Sequence, residues 1–261
     1  SSCKRVKDWI CRQFGQKEKK TVHHKKFADG GEVIVWETGR AGEEAASYEN
    51  LFLRKEIAGF RTNIRREQSC SIKSLTRDYL YKQLLSSGEY TFDHMLVIKD
   101  PYGEAPLTAL ALFILEEPAC VRVTTKGNLK ETDFVTELPK KKEHRVPILG
   151  MYAEKANDIV IEILDDEGNC VKSHTFTIRT KRLPKSLRNV ITVKKWTDKP
   201  AYSNIMINGG VKIHTCVFDI EGKIRYYLSR KPRGYGIFPL SDGHFFYMEK
   251  YISVPSYSNP Q

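Results

Sequence analysis

The sequence predicts a mainly β protein: an Ig-like β-sandwich, preceded by an α-helical N-terminal extension and followed by the first part of a β-propeller. Three observations predict it. Leu107 to Leu115 is almost wholly apolar, too short for a typical helix and flanked by prolines and glycine, which reads as a strand buried on both faces. Short alternating segments bounded by turn residues fill the chain from Thr91 to Thr180. After Pro184, two turn signals roughly 20 residues apart are each followed by an aromatic, β-prone run, a recurrence that suits propeller blades. The expected boundaries are 1–90 for the basic helical extension, 91–183 for the sandwich and 184–261 for the truncated propeller.

Taken in order, Val6, Trp9, Ile10 and Phe14 fall on one helical face among Lys4, Arg5, Lys7 and Arg12, predicting a short basic amphipathic helix over 4–14. Docking on neighbouring structure is favoured over a membrane-surface anchor. Gln16 to Lys26 is charged or polar and reads as a linker or exposed loop. Within it, His23 and His24 would point apart in a strand and have no cysteine or carboxylate cluster nearby in sequence, so they are expected in solvent, not on a metal. Glu32 to Trp36 is a strand candidate after Gly30-Gly31. Leu53, Ile57, Phe60 and Ile64, then Ile72, Leu75, Tyr79 and Leu80, follow helical spacing, with Gly88 as a stop.

Asp100-Pro101-Tyr102-Gly103-Glu104-Ala105-Pro106 forces a tight, non-helical approach to the apolar run. Glu116-Glu117-Pro118 is expected to end that strand, and Val121, Val123 and Thr125, alternating with Arg122 and Thr124, to form a half-buried partner. Pro147 limits the segment His144 to Tyr152 to an edge strand or a strand end. Lys140-Lys141-Lys142 reads as an exposed turn. Ile159 to Leu164, the turn Asp165-Asp166-Glu167-Gly168-Asn169, and Val171 to Thr180 form a β-hairpin by turn chemistry. With the preceding strands it makes an antiparallel sandwich of about 90 residues, near the Ig-like size. His174 shares its strand face with Phe176 and Ile178 and reads as a satisfied histidine at the sheet rim. Lys181-Arg182-Leu183-Pro184-Lys185 is the linker candidate. Beyond it, Asp219-Ile220-Glu221-Gly222 and Ser241-Asp242-Gly243 are turns, leading into Ile224–Leu228 and Phe245–Met248.

The chain carries a net charge of +11, placed at its ends: +6 over residues 1–30, 0 over 31–92, −2 over 93–183 and +7 over 184–261. Basic ends concentrate anionic ligands without choosing among aryl sulfates, nucleic acids and acidic membranes, and a solubilising surface explains the first segment equally well. The split charge, with no recognition motif, argues against nucleic acid as a partner. Six cysteines lie far apart with no CxxC pair, which argues against zinc ribbons and thioredoxin-like chemistry and leaves the disulfide state open. No run is long enough to cross a membrane and no signal peptide is visible.

The run Asp100 to Leu110, followed by Glu143-His144 and Pro147-Ile148-Leu149-Gly150-Met151-Tyr152, resembles the N-terminal domain of the bacterial aryl-sulfate sulfotransferases, the enzymes that use a phenolic sulfate ester instead of the nucleotide donor PAPS. The resemblance continues through Asn157, Gly168 and Leu183-Pro184 into Phe218 to Tyr227, which looks like the start of that family's propeller. It implies a ping-pong transfer: a histidine near the propeller axis takes the sulfuryl group from an aryl sulfate and passes it to a phenol. It also implies an extracytoplasmic setting and no cofactor. The family's catalytic residues would lie beyond Gln261, so no catalytic residue is expected here and this chain alone is expected to be inactive.

Cations suited to a sulfate cluster at Arg225, Arg230, Lys231 and Arg233. Arg225, Arg230 and Arg233 are therefore the candidate substrate-binding residues, set against the simpler reading of an exposed strand and loop. His214 and His244 match no catalytic motif and read as strand-end or surface histidines. No GxSxG elbow, HExxH or P-loop is present, and no metal site is expected. The alternative function is a non-catalytic sandwich that mediates oligomerisation or binds an anionic ligand.

Overall fold

The structure is a computed structural model that describes residues 21–36, 77–78, 81–194, 204–207, 214–229, 236–239 and 245–248. In chain order its strands are β1 (Thr21–Lys26), β2 (Glu32–Trp36), β3 (His94–Lys99), β4 (Ala109–Thr125), β5 (Phe134–Ile148), β6 (Ala156–Leu164), β7 (Cys170–Arg179), β8 (Asn204–Ile207), β9 (Cys216–Asp219), β10 (Ile224–Tyr227), β11 (Gly236–Pro239) and β12 (Phe245–Met248). The first seven form one sheet in the order β1-β2-β3-β4-β6-β7, with β5 paired to β4; β8 to β10 form a second sheet and β11 and β12 a third.

β4 is the spine. One of its edges is lined by β5; the other is shared, β3 pairing with Ala109 to Leu112 and β6 with Cys120 to Thr125. The expected break at Glu116-Glu117-Pro118 is absent, and the two predicted strands are one strand of 17 residues. The register with β5 instead slips between Ile114 and Val121. Such a bulge bends the strand and leaves Pro118 where its missing N–H costs no ladder bond. Lys140 to Lys142 lie opposite this irregularity. They are exposed, as expected, but belong to β5 and not to a turn.

The apolar run is buried on both faces, as its composition predicts. Ala109, Ala111, Phe113 and Leu115 enter the main core with Val33 and Val35 of β2, Ile159 and Ile161 of β6, and Phe176 and Ile178 of β7. Leu110 and Leu112 point the other way, joining Leu96 and Ile98 of β3 under Tyr81 and Leu85. Those last two belong to the helical residues 81–86, which run to Gly88 at φ +70°. The Tyr81 hydroxyl donates to the Pro101 carbonyl and fastens the helix to the sheet.

Two expectations for the N-terminal region change. Residues 21–26, read as linker or loop, are an edge strand, where charged side chains alternate outward at no cost to the core. β2 then pairs parallel with β3, so residues 21–36 join the sheet and the sheet is mixed, not wholly antiparallel. The sheet curls until its end strands approach: the Lys25 ammonium of β1 donates to the Thr175 carbonyl of β7.

The β6–β7 hairpin forms as predicted, with Gly168 at φ +84° and Asp165 Oδ1 accepting from the Glu167 and Asn169 amides. The linker candidate is irregular, as expected, but not free: Leu187 is buried in the main core, with Leu183 and Ile191 packed against it. Among the described residues no helix is long and apolar enough to cross a membrane. The predicted helices over 4–14 and through Leu53 to Ile64 lie outside the described residues, as do Ile72, Leu75, Tyr79 and Leu80.

Candidate functional site

Arg225 is the largest fully buried side chain of the described residues. It sits on β10 where the register with β9 slips between Ile224 and Tyr226, so that Ile224 and Arg225, adjacent in sequence, are both buried. The exposed reading of this residue is therefore overturned: the bulge turns its side chain into the junction between the β9–β10 hairpin and the seven-stranded sheet. Arg230 and Arg233 lie outside the described residues.

The guanidinium Nε donates to the Gly150 carbonyl at 2.6 Å, and Nη1 reaches the Thr132 carbonyl at 2.7 Å, the Tyr152 hydroxyl at 3.0 Å and Asp219 Oδ2 at 3.3 Å. Its Cζ lies 3.9 Å from the Tyr152 ring centroid, adding a cation–π contact. Nη2 has no hydrogen-bond partner. The carbonyl of Gly150 is presented at φ +75°, and a Cβ there would meet Phe134 at 2.7 Å, so only glycine suits the position.

Asp219 divides its two oxygens. Oδ1 accepts from the Glu221 and Lys223 amides, both at 3.0 Å, and so builds the turn that Gly222 completes at φ +75°. Oδ2 is left for Arg225 and for the Tyr152 hydroxyl, which donates to it at 2.8 Å. Burial pushes the Tyr152 phenol above its ordinary range, and the hydrogen bond to Asp219 works in the same direction, so the donor keeps its proton at neutral pH. The Tyr152 backbone is fixed in turn by Asn157, whose Oδ1 accepts from the Tyr152 amide at 2.7 Å and whose Nδ2 donates to the Tyr152 carbonyl at 3.0 Å. Around the polar centre, Cys216, Phe218, Ile224 and Tyr227 enter the same apolar core as the sandwich strands.

Chemically this is a docking joint. The Arg225 and Asp219 side chains are 1% and 0% exposed, so an aryl sulfate does not reach this cation in the present arrangement. His214 is also enclosed: its Nδ1 lies 2.7 Å from the Leu228 carbonyl and its ring meets Tyr227 edge-on, which corrects the surface reading. His244 and the Ser241-Asp242-Gly243 turn lie outside the described residues, although β11 and β12 on either side of that turn pair as a hairpin. Cys120, Cys170 and Cys216 are free thiols. An open groove beside the β4 bulge carries six carboxylates, among them Glu116, Glu117 and Asp166, against Lys140 and Lys172. Both lysines are already paired, with Asp166 and Asp93, so this groove repels a sulfate ester.

Sequence reasoning singled out Arg225 for its charge and read Asp219 as a turn residue. Tyr152 enters as the end of a strand segment and through the resemblance, Asn157 through the resemblance alone, and Thr132 not at all. The signal available was an aspartate opening a glycine turn with an arginine six residues on, which places both on one hairpin without saying what that hairpin faces.

Comparison with known proteins agrees with the sandwich. No curated protein matches the chain. Residues 96–181, from within β3 to just past β7, match the family model of the arylsulfotransferase Ig-like domain, a match that includes Gly150, Tyr152 and Thr132 and supports an arylsulfotransferase N-terminal domain in this part of the chain.

Proposed function

We propose that this chain is the N-terminal portion of an aryl sulfotransferase, with its sandwich at 91–183 acting as a scaffold that docks the first strands of a β-propeller begun after residue 184. The family match to β3–β7 carries the reading, and the Arg225–Asp219–Tyr152 joint supports it by giving those strands a defined seat on the following hairpin. The chemistry is sulfuryl transfer without a nucleotide. A histidine nitrogen attacks sulfur as the phenolate of the donor departs, giving a sulfohistidine. An acceptor phenol then attacks the same sulfur, its proton passing to a base, and the histidine is restored. In this reading the histidine belongs to propeller segments beyond Gln261. The described residues position the propeller and take no chemical part, in keeping with an acidic groove and a buried arginine paired with Asp219.

The test uses 4-nitrophenyl sulfate as donor and phenol as acceptor. The purified chain is expected to release no 4-nitrophenolate above the blank, while a product extended along the reading frame past Gln261 turns over. Release by this chain alone would overturn the division of labour; an extended, folded product without turnover, or a stop codon after Gln261, would overturn the enzymatic reading.

A further inference from the structure

The edges of the curled sheet meet at a polar cluster that the joint does not use. His174 of β7 is 3% exposed, its ring stacked on Phe27 at 4.1 Å and tilted against Phe92 at 4.9 Å. Gly31 makes room for it, since a Cβ there would lie 2.8 Å from Cε1 of the imidazole. Held in this slot, the ring directs Nε2 toward two carboxylates from other elements: Asp93 Oδ1, from the turn before β3, at 3.3 Å, and Asp29 Oδ2, from the β1–β2 turn, at 3.9 Å. The three ligand atoms all lie within 4.8 Å of one another.

We infer that Asp29, Asp93 and His174 form a binding site for a divalent cation of the zinc class, which staples the β1–β2 turn and the approach to β3 onto β7. One imidazole and two carboxylates make an N/O donor set that such ions accept, with a fourth position left for water. Tetrahedral bonds of about 2.0–2.1 Å place ligand atoms about 3.3–3.4 Å apart, so the Nε2–Asp93 separation of 3.3 Å already fits, and Asp29, 3.9 Å from Nε2, has to close toward the other two. Asp29 is oriented for this: its Oδ1 accepts from the Gly31 amide at 2.9 Å, leaving Oδ2 toward the histidine. Lys172 competes for the site, because its ammonium holds Asp93 Oδ1; it lies near the Phe92 face and its long stem lets it swing out. The expectation that the chain has no metal site gives way here, because the three ligands come from stretches far apart in sequence.

The test is a titration of the metal-free, full chain with Zn2+ by calorimetry and with Co2+ by visible absorption. One ion per chain is expected, with affinity falling at least tenfold in Asp29→Asn and in His174→Gln, and rising severalfold in Lys172→Met. Asp29 is exposed, so its variant folds and decides the matter even where His174→Gln does not. His24→Ala is the control, because His24 and His94 also approach one carboxylate, that of Glu32. The inference is overturned by an absence of binding at millimolar Zn2+, by binding that Asp29→Asn leaves intact, by weaker binding in Lys172→Met, or by binding that His24→Ala abolishes.

Discussion

The joint at Arg225 and the seam at His174 use the same materials, a cation and carboxylates bridging elements far apart in sequence, and differ in water. At the joint the paired side chains are 1% and 0% exposed; at the seam Asp93 and Lys172 are 50% and 39% exposed. Water screens the seam pair, so its contribution is within about 1 kcal/mol. The joint pair has surrendered its hydration, and its attraction must offset that loss with the help of the Gly150 and Thr132 carbonyls and the Tyr152 hydroxyl. Burial therefore makes the joint intolerant of partial removal. Exposure keeps the seam carboxylates free to take another partner.

The largest effect expected follows from that intolerance. Arg225→Ala leaves Asp219 buried without its cation, and Asp219→Ala leaves Arg225 without its anion; either should lower unfolding stability by about 3–5 kcal/mol. The double variant Arg225→Met with Asp219→Leu should recover part of that loss, because no charge is then stranded. Urea unfolding of the four proteins checks this. A double variant that loses the sum of the two single losses would mean the joint is not a coupled unit.

A smaller loss is expected from Tyr152→Phe, which removes the acceptor of the Asn128 amide and one donor to Asp219, at about 1–3 kcal/mol. It also carries a pH signature. The phenol's folded pKa is raised, chiefly by burial, so its contribution is fully present below the ordinary value near 10 and is lost as pH rises through the folded value. The wild type should thus lose stability faster than Tyr152→Phe as pH is raised above 10 in the same urea assay. Parallel curves would show that Tyr152 is not the buried donor described. Tyr102, pushed up to about 12, is common to both proteins and cancels in the difference.

These two regions also mark what was legible in the sequence. Leu107 to Leu115 announces its double burial because every side chain in it but Thr108 is apolar, and the structure gives each face its own cluster. The alternation His174, Phe176, Ile178 places the histidine on the inner face, where it lies. Single residues with two competing meanings were not legible. Pro118 reads as a strand end, yet in a bulge it costs nothing. The charges of residues 21–26 read as a linker, yet suit an edge strand. Arg225 reads as exposed because arginine usually is, and only a partner segment distant in sequence can bury it. The Asp29, Asp93 and His174 cluster has no local signal, since each ligand belongs to a different turn or strand.

The smallest effect belongs to the seam without metal. The Asp93 carboxyl is held below its ordinary range, first by the Lys172 hydrogen bond and then by His174, against the opposing effect of burial. A lowered folded pKa means that the contribution is present above the unfolded value near 3.8 and is lost as pH falls through the folded one. Because both side chains are substantially exposed, Asp93→Asn should cost no more than about 1 kcal/mol at neutral pH in metal-free buffer, and the difference from wild type should vanish in acid. A loss at neutral pH as large as that of Arg225→Ala would erase the contrast, since the seam would then be as dependent on its ion pair as the joint. With Zn2+ added, the same substitution should cost more, because binding to the folded state adds stability that only the intact ligand set can supply.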